Sequence, residues 1–235
     1  MTRHIWQSLS EYSAQYRQLV KDPVWIGTGV VRGHGQPVLV IPGFFVGDWL
    51  MRPLRNWLSR VGYRAHPSNF LWNAGCQMPA VDFLKESLRQ AADSSEQKVV
   101  VVGHSLGGAQ GKVLAGFLPE YVSHVITIGS PMHRDPQSVH PLIFSLFQLF
   151  TCEGKYSACS MRTADKENCV QARIDLPLPQ GLQMTAIYSS EDEILASAIT
   201  RSPFAENRAV FGGHLGLVVN REVYKIIGEV LGKLK

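Results

Sequence analysis

One serine in this sequence has neighbours that favour nucleophilic chemistry. Ser105 is the centre of the pattern Gly103-His104-Ser105-Leu106-Gly107, and a run of four valines precedes this pattern. A continuous β-branched run predicts a buried strand, so we expect Ser105 to lie at a sharp turn from a strand into a helix. The flanking glycines have no Cβ atom and leave room for such a turn. The pattern therefore predicts a nucleophile and not merely a helix-capping serine.

A serine hydroxyl needs a base to remove its proton, and the base needs a carboxylate that fixes its tautomer. In hydrolases built on such a turn, the carboxylate and then the histidine follow the serine along the chain. His214 is the predicted base, because it stands in the glycine-rich run 212–216 after the last predicted strand. His124 lies at a predicted strand start, and His133 and His140 lie in an insertion, so they are weaker candidates.

Three carboxylates compete for the role of the acid. Glu191, Asp192 and Glu193 follow the predicted strand 185–189. Position favours Asp192, and Glu191 and Glu193 remain alternatives that could substitute for it. A solvated acidic turn without a catalytic role is the competing interpretation.

Acyl chemistry at a serine also requires N–H donors for the oxyanion of the tetrahedral intermediate. The N–H of Leu106, directly after the nucleophile, is the first predicted donor. The second is the N–H of Phe44, because Pro42-Gly43-Phe44 follows the apolar strand-like run 38–41. A tight turn with no role in binding is the alternative interpretation of Pro42 and Gly43.

An α/β fold with a mainly parallel central sheet flanked by helices is predicted to position these residues. Apolar runs alternate along the chain with segments of helical periodicity, as in parallel sheets covered by helices. The predicted strands are residues 38–41, 62–66, 98–102, 122–128, 183–189 and 208–211, and the predicted helices include residues 49–61, 106–118 and 216–234 and one that begins near residue 78. In such sheets the functional residues lie at the carboxyl ends of the strands.

Two segments stand outside this alternation. Apolar residues recur at steps of three and four over residues 3–20, which predicts an amphipathic N-terminal helix packed on the main body. Residues 132–181 form an insertion before the acid-bearing strand. Its apolar stretch 142–150 has two open interpretations, a lid or wall of an acyl pocket or a plain core helix.

Length and composition predict one domain over residues 1–235. The 235 residues are 45% hydrophobic and 18% charged, as in an ordinary globular protein. The net charge of +4 comes without a basic run, which argues against a nucleic-acid partner. The sequence has neither a signal-peptide core nor an apolar run long enough to span a bilayer, so we expect a cytoplasmic protein.

Four cysteines occur, and three of them are close together in the insertion. They are Cys76, Cys152, Cys159 and Cys169. Structural zinc is not expected, because the spacing contains no Cys-x-x-Cys pair. A disulfide within the insertion and free thiols remain two open interpretations.

These motifs resemble the bacterial esterase and lipase branch of the α/β-hydrolase superfamily, in particular small lipase-like hydrolases with a Pro-Gly-Phe loop. The resemblance covers most of the chain and is carried by residues 38–44, 103–108, 126–131, 187–192 and 213–217. It implies the α/β-hydrolase fold, the triad Ser105, Asp192 and His214, and ester hydrolysis without a cofactor or metal. Many relatives have a histidine before the oxyanion glycine, where this chain has Pro42.

The resulting hypothesis is a carboxylic-ester hydrolase that acts on a small-molecule acyl ester, with lipids included, through an acyl-serine intermediate. Two alternatives stay open: an acyltransferase that uses the same residues, and a catalytically silent binding protein on the same fold. An apolar acyl group is favoured by the aromatic residues near the predicted mouth of the site, Phe44, Phe45, Trp49 and Trp72. The acyl chain length and the oligomeric state remain open.

Overall fold

A six-stranded parallel sheet forms the centre of the computed structural model, which describes residues 2–151 and 170–234. Its strands are β1 Pro37–Ile41, β2 Arg64–Pro67, β3 Val99–His104, β4 Val122–Ile128, β5 Gln183–Ser189 and β6 Glu206–Val210. They lie in the order β2-β1-β3-β4-β5-β6, and every neighbouring pair is parallel. The predicted α/β fold with a parallel sheet is therefore confirmed.

Helices cover both faces of this sheet. They are α1 Thr2–Leu19, α2 Arg52–Arg60, α3 Gln77–Asp93, α4 Leu106–Phe117, α5 Pro141–Thr151, α6 Val170–Arg173, α7 Ser197–Thr200 and α8 Arg221–Lys233. None of the helices within the described ranges is both long enough and apolar enough to cross a membrane.

The valine run of β3 supplies two hydrophobic cores at once. Val100 and Val102 pack in one core together with buried side chains of α2 and α8. Val99 and Val101 point to the opposite face and pack with buried side chains of α3 and α4. Both faces of a strand are buried in such a sheet, which explains a continuous apolar run in place of an alternating pattern. This packing fixes the end of β3, where Ser105 follows.

The N-terminal helix is present as α1, but its apolar face is only partly buried and its polar face is packed as well. Leu19 is fully buried, whereas Leu9 is 47% exposed. Ser8, on the side expected to face solvent, is buried. The polar side of α1 therefore contacts the body of the protein. Ser8 donates its hydroxyl to Glu193, and Glu11 accepts the N–H of Gly213.

The predicted helix over residues 216–234 is wrong as one continuous element. The structure has a short 3-10 helix at Gly216–Val219 and then α8 from Arg221. Asn220 separates them in an extended conformation, and its side chain accepts hydrogen bonds from the N–H groups of Glu222 and Val223. Asparagine is a preferred N-cap residue, so the break has a local cause.

The apolar stretch of the insertion forms α5, and α5 is not a core helix. Its apolar side chains are partly or fully exposed, and Thr151 is its buried residue. The stretch instead faces the cleft described below. Cys152, Cys159 and Cys169, and with them the question of a disulfide, lie outside the described residues.

Candidate active site

The turn at Ser105 has the strained backbone that the sequence pattern predicts. Ser105 adopts φ +52° and ψ −126° between the end of β3 and the start of α4. A residue with a Cβ atom rarely adopts a positive φ, so the surrounding structure must hold it there. Its own N–H donates to the carbonyl of Ile128 at 2.9 Å. The side chain consequently projects from the carboxyl edge of the sheet.

The first turn of α4 lies close against the loop that follows β1. A Cβ atom on Gly107 would clash with the backbone carbonyls of Ile41 and Pro42, so only glycine fits there. A Cβ atom on Gly43 would lie 3.0 Å from the Cβ of Ser105. This close approach places the predicted oxyanion loop directly beside the serine.

The structure brings the three predicted triad residues together in one chain of hydrogen bonds. Ser105 Oγ lies 2.9 Å from His214 Nε2, and His214 Nδ1 lies 2.7 Å from Asp192 Oδ2. Because a carboxylate can only accept, Nδ1 carries the proton and Nε2 is free to accept from the serine hydroxyl. Their side chains follow β3, β5 and β6, whose carboxyl ends meet at one edge of the sheet.

Asp192 is fixed by hydrogen bonds at both carboxylate oxygens. Its Oδ1 accepts the N–H groups of Ile194 at 2.9 Å and Leu195 at 2.8 Å, while Oδ2 faces the imidazole. Glu191 is exposed, and the carboxylate of Glu193 faces the backbone of His214. The two alternative acids are thus not in contact with Nδ1.

Burial and charge act in opposite directions on the pKa values of this pair. Burial raises the pKa of Asp192, but the positive charge and hydrogen bond of His214 and the two backbone N–H groups outweigh it, and the net pKa is lowered. Burial lowers the pKa of His214, but the charge and hydrogen bond of Asp192 outweigh it, and the net pKa is raised above 6.5. Asp192 therefore stays ionised, and His214 gains proton affinity.

We expect kcat/KM for ester hydrolysis to rise with pH through a pKa above 6.5, because only neutral His214 can accept the serine proton and its pKa is raised. This rise is the acid limb of the pH profile, and initial rates on an uncharged ester between about pH 5 and 9 measure it. The variant His34→Gln, which removes an exposed imidazole, is the control and should keep the same limb. An acid limb below 6.5 contradicts the expectation.

His104 is a further part of the site, and the sequence pattern shows it only as the variable position before the serine. It is buried, and its Nε2 donates to the backbone carbonyl of His214 at 3.0 Å. Burial, and then the positive charge of His214, lower the pKa of His104 to about 3, so its ring stays neutral. A neutral ring packs below His214 without competing for its proton.

The two predicted oxyanion donors both flank Ser105 in the structure. Within the described part of the chain, the N–H groups of Phe44 and Leu106 have no acceptor. Leu106 is the first residue of α4, where the helix dipole places partial positive charge. The end of α4 next to Ser105 therefore carries an unpaired N–H group and partial positive charge.

A buried pair of amides holds the loop that carries Phe44. Asn73 Nδ2 donates to the carbonyl of Pro42 at 2.8 Å, and the carbonyl of Asn73 accepts the N–H of Phe45 at 3.0 Å. The side chains of Asn73 and Gln110 exchange two hydrogen bonds, of 2.8 and 3.0 Å. Sequence reasoning missed this pair, although Gln110, a polar amide among the small residues 107–111 of α4, was a usable signal.

An apolar cleft opens beside Ser105 and encloses about 690 Å³ when its open mouth is counted. Its apolar walls come from α4, from α5 and from the segment after Asp192, and include Ala109, Ile143, Phe144, Phe147, Ile194, Leu195 and Ile199. Phe44 also lines the cleft, and its ring meets that of Phe147 at 5.4 Å. Of the other predicted aromatic residues, Phe45 packs on Phe150, while Trp49 and Trp72 are exposed and are not part of the lining.

Comparison with known proteins gives a family and a fold. A family model described as "PGAP1-like alpha/beta domain" matches residues 77–200, more than half of the chain. The lipase BlEst2 of Bacillus licheniformis in its mature form has a TM-score of 0.59 and 13% identity, over 84% of this chain and 92% of that chain. No curated protein sequence matches this one.

Two esterases of known structure also share the fold of this chain at low sequence identity. An esterase from Thermogutta terrifontis has a TM-score of 0.57 and 14% identity, over 86% of this chain and 92% of that chain. The methylesterase MES16 from Arabidopsis has a TM-score of 0.57 and 14% identity, over 84% and 99%. At this level of identity the likeness establishes the α/β-hydrolase fold, and the resemblance deduced from the sequence motifs is confirmed to that extent.

Proposed function

The chain belongs to the PGAP1-like alpha/beta domain family, and from this premise we propose that it is a serine hydrolase of carboxylic esters. The observation that carries the proposal is the continuous chain of hydrogen bonds from Ser105 through His214 to Asp192. Unpaired N–H groups and an apolar cleft adjoin the serine hydroxyl, as acyl transfer to that hydroxyl requires.

In the first half of the proposed reaction, the enzyme is acylated. Ser105 Oγ attacks the carbonyl carbon of the ester while its proton passes to His214 Nε2. The N–H groups of Phe44 and Leu106 stabilise the oxyanion of the tetrahedral intermediate. The intermediate collapses as His214 gives its proton to the departing alkoxide, which leaves as an alcohol. The acyl group is then bound to Ser105 as an ester.

In the second half, water replaces the alcohol. His214 removes a proton from a water molecule, and the resulting hydroxyl attacks the acyl carbonyl. Collapse returns the proton to Ser105 Oγ and releases the carboxylic acid. Asp192 keeps its charge throughout and stabilises the imidazolium that forms in each half.

In this proposal the cleft binds the acyl group of the ester, and its lining favours an apolar acyl group. Its walls are mostly aliphatic and aromatic side chains of α4, α5 and the segment after Asp192, and His133, Arg134 and Asp135 are the polar exceptions. Burial of apolar area favours an acyl chain over a charged or sugar-like group at this position.

Ala109 offers a way to change the acyl-chain preference. It is buried, lies one turn after Ser105 on the same face of α4, and lines the cleft. In Ala109→Leu we expect the ratio of kcat/KM for a long-chain ester to that for acetate to fall about tenfold, because the larger side chain fills space that the chain would occupy. Initial rates on p-nitrophenyl acetate, octanoate and palmitate measure the ratio.

Val113→Leu is the matched control for that change. Val113 lies one turn further along α4 and is buried in the core rather than in the cleft. Overpacking at this position should affect all esters alike. An unchanged ratio in Ala109→Leu, with the protein folded, contradicts the proposed acyl position.

Hydrolysis of p-nitrophenyl esters from acetate to palmitate tests the proposed function. We expect turnover and, on rapid quenching, a mass increase of one acyl group on the peptide that contains Ser105. More new ester than free acid in the presence of an added alcohol would favour the acyltransferase alternative. Absence of turnover and of the adduct with every ester would contradict the proposal and favour a binding protein.

A further inference from the structure

Glu193 follows the proposed acid Asp192, and it contacts the same histidine in a different way. Asp192 binds the imidazole of His214, whereas Glu193 Oε2 accepts the backbone N–H of His214 at 2.9 Å. The other oxygen, Oε1, accepts the hydroxyl of Ser8 on α1 at 2.6 Å. Both oxygens of Glu193 are therefore engaged, one by the proposed base and one by the N-terminal helix.

A second carboxylate binds the adjoining residue of the same loop. Gly213 donates its N–H to Glu11 Oε1 of α1. A Cβ atom on Gly213 would clash with the carboxylates of both Glu11 and Glu193, so a larger residue there would displace them. Two consecutive N–H groups of the loop thus each meet a carboxylate, and 202 residues separate Glu11 from Gly213.

These contacts explain how a glycine-rich loop can hold a base in one position. Residues 212 and 213 are both glycine, so the backbone before His214 has little conformational preference of its own. Hydrogen bonds from N–H groups to carboxylates are shorter and stronger than those between neutral groups. The loop is therefore fixed by contacts from outside it, and the distance from His214 Nε2 to Ser105 Oγ depends on those contacts.

We propose that Glu11 and Glu193 form a carboxylate clamp that positions His214 for proton transfer from Ser105. The clamp consists of these two carboxylates and of the N–H groups of Gly213 and His214. The inference rests on the proposed function, because it gives Glu193 a positioning role for the proposed base. It also makes α1 a required part of the active site, since Glu11 and Ser8 both belong to that helix.

The clamp has an electrostatic consequence as well as a geometric one. The charged and titratable groups that face His214 are Asp192, Glu193 and the neutral ring of His104, and Glu11 faces the adjoining Gly213. The negative charge of Glu193 adds to that of Asp192 in raising the pKa of His214. It therefore favours the imidazolium that forms as the serine attacks.

The variants Glu193→Ala and Glu193→Gln, made in the full chain, test the clamp. With p-nitrophenyl butyrate we expect Glu193→Ala to lower kcat about 10- to 100-fold, because the base is misplaced, while KM stays within about twofold. Glu193→Gln keeps an oxygen that accepts the N–H and should recover part of this kcat. Both variants should move the acid limb of kcat/KM to lower pH, because both remove the charge.

Glu191→Gln is the matched control. It removes the same charge two residues away, but Glu191 is exposed and its carboxylate does not contact the loop of His214. We expect wild-type kcat and an unchanged acid limb. Wild-type kcat and acid limb in both Glu193 variants would overturn the clamp, as would an equal loss in Glu191→Gln.

Hydrogen exchange gives a readout that does not depend on turnover. In Glu193→Ala we expect the amides of residues 213 and 214 to exchange at least about tenfold faster than in the wild type, and Glu11→Ala should act mainly on residue 213. Unchanged protection in both variants would overturn the clamp. If the wild type hydrolyses no ester, the proposed function fails, but this measurement still decides whether the clamp exists.

Discussion

Replacing Ser105 with alanine is expected to lower kcat for ester hydrolysis on the order of 10⁶-fold. The change removes the oxygen that forms the acyl intermediate, while the N–H groups of Phe44 and Leu106 and the cleft remain. The residual rate should be the one that binding and oxyanion stabilisation alone support. Rates on the p-nitrophenyl ester series, measured beside the wild type, give the ratio.

The fold should survive this substitution. Alanine has the same Cβ atom as serine, so the strain of the positive φ at residue 105 does not increase. Ser59→Ala, at an exposed position of α2, is the control for removal of a hydroxyl and should keep full activity. More than about 1% of wild-type turnover in pure Ser105→Ala would remove Ser105 from the role of nucleophile.

Replacing Asp192 with asparagine is expected to lower kcat about 10⁴-fold. The amide oxygen can still accept the N–H groups of Ile194 and Leu195, which leaves an NH2 group facing His214 Nδ1. An NH2 group donates, so it favours the tautomer with the proton on Nε2, which cannot accept a proton from the serine. The loss of the charge also removes its stabilisation of the imidazolium.

Neighbouring carboxylates are not expected to rescue this variant, although the sequence alone left Glu191 and Glu193 as possible substitutes for Asp192. Glu191 is exposed, and Glu193 already binds the backbone of His214. The acid limb of the pH profile should also move to lower pH, because the charge that chiefly opposes the effect of burial on the pKa of His214 is lost. Activity above about a tenth of the wild type would show that another acid serves His214.

Most of the sheet could be predicted from the sequence, because buried parallel strands leave a strong local signal. The run Val99–Val102 predicts β3, and the segments 122–128 and 183–189 match β4 and β5 residue for residue. The turn at Ser105 could be predicted equally well from its flanking glycines. In the structure, Gly103 and Gly107 have no room for a side chain. Each of these signals lies within about ten residues of sequence.

The rest of the site depends on contacts between distant parts of the chain. The bond from Gly213 to Glu11 and the pairing of Asn73 with Gln110 leave no periodic pattern, because each partner occupies an ordinary position in its own segment. The break before α8 was accessible in principle, since Asn220 is a good N-cap. The single domain over residues 1–235 stays a prediction.

The contact between α1 and the loop of His214 also sets an order of events during synthesis. A ribosome adds about 5 to 20 residues per second, so Gly213 is made about 10 to 40 s after Glu11, which precedes it by 202 residues. During that interval Glu11 lacks the backbone N–H group that it finally binds. A nascent chain therefore already contains Ser105 and the central strands β3 and β4 well before the loop that carries the proposed base has been made.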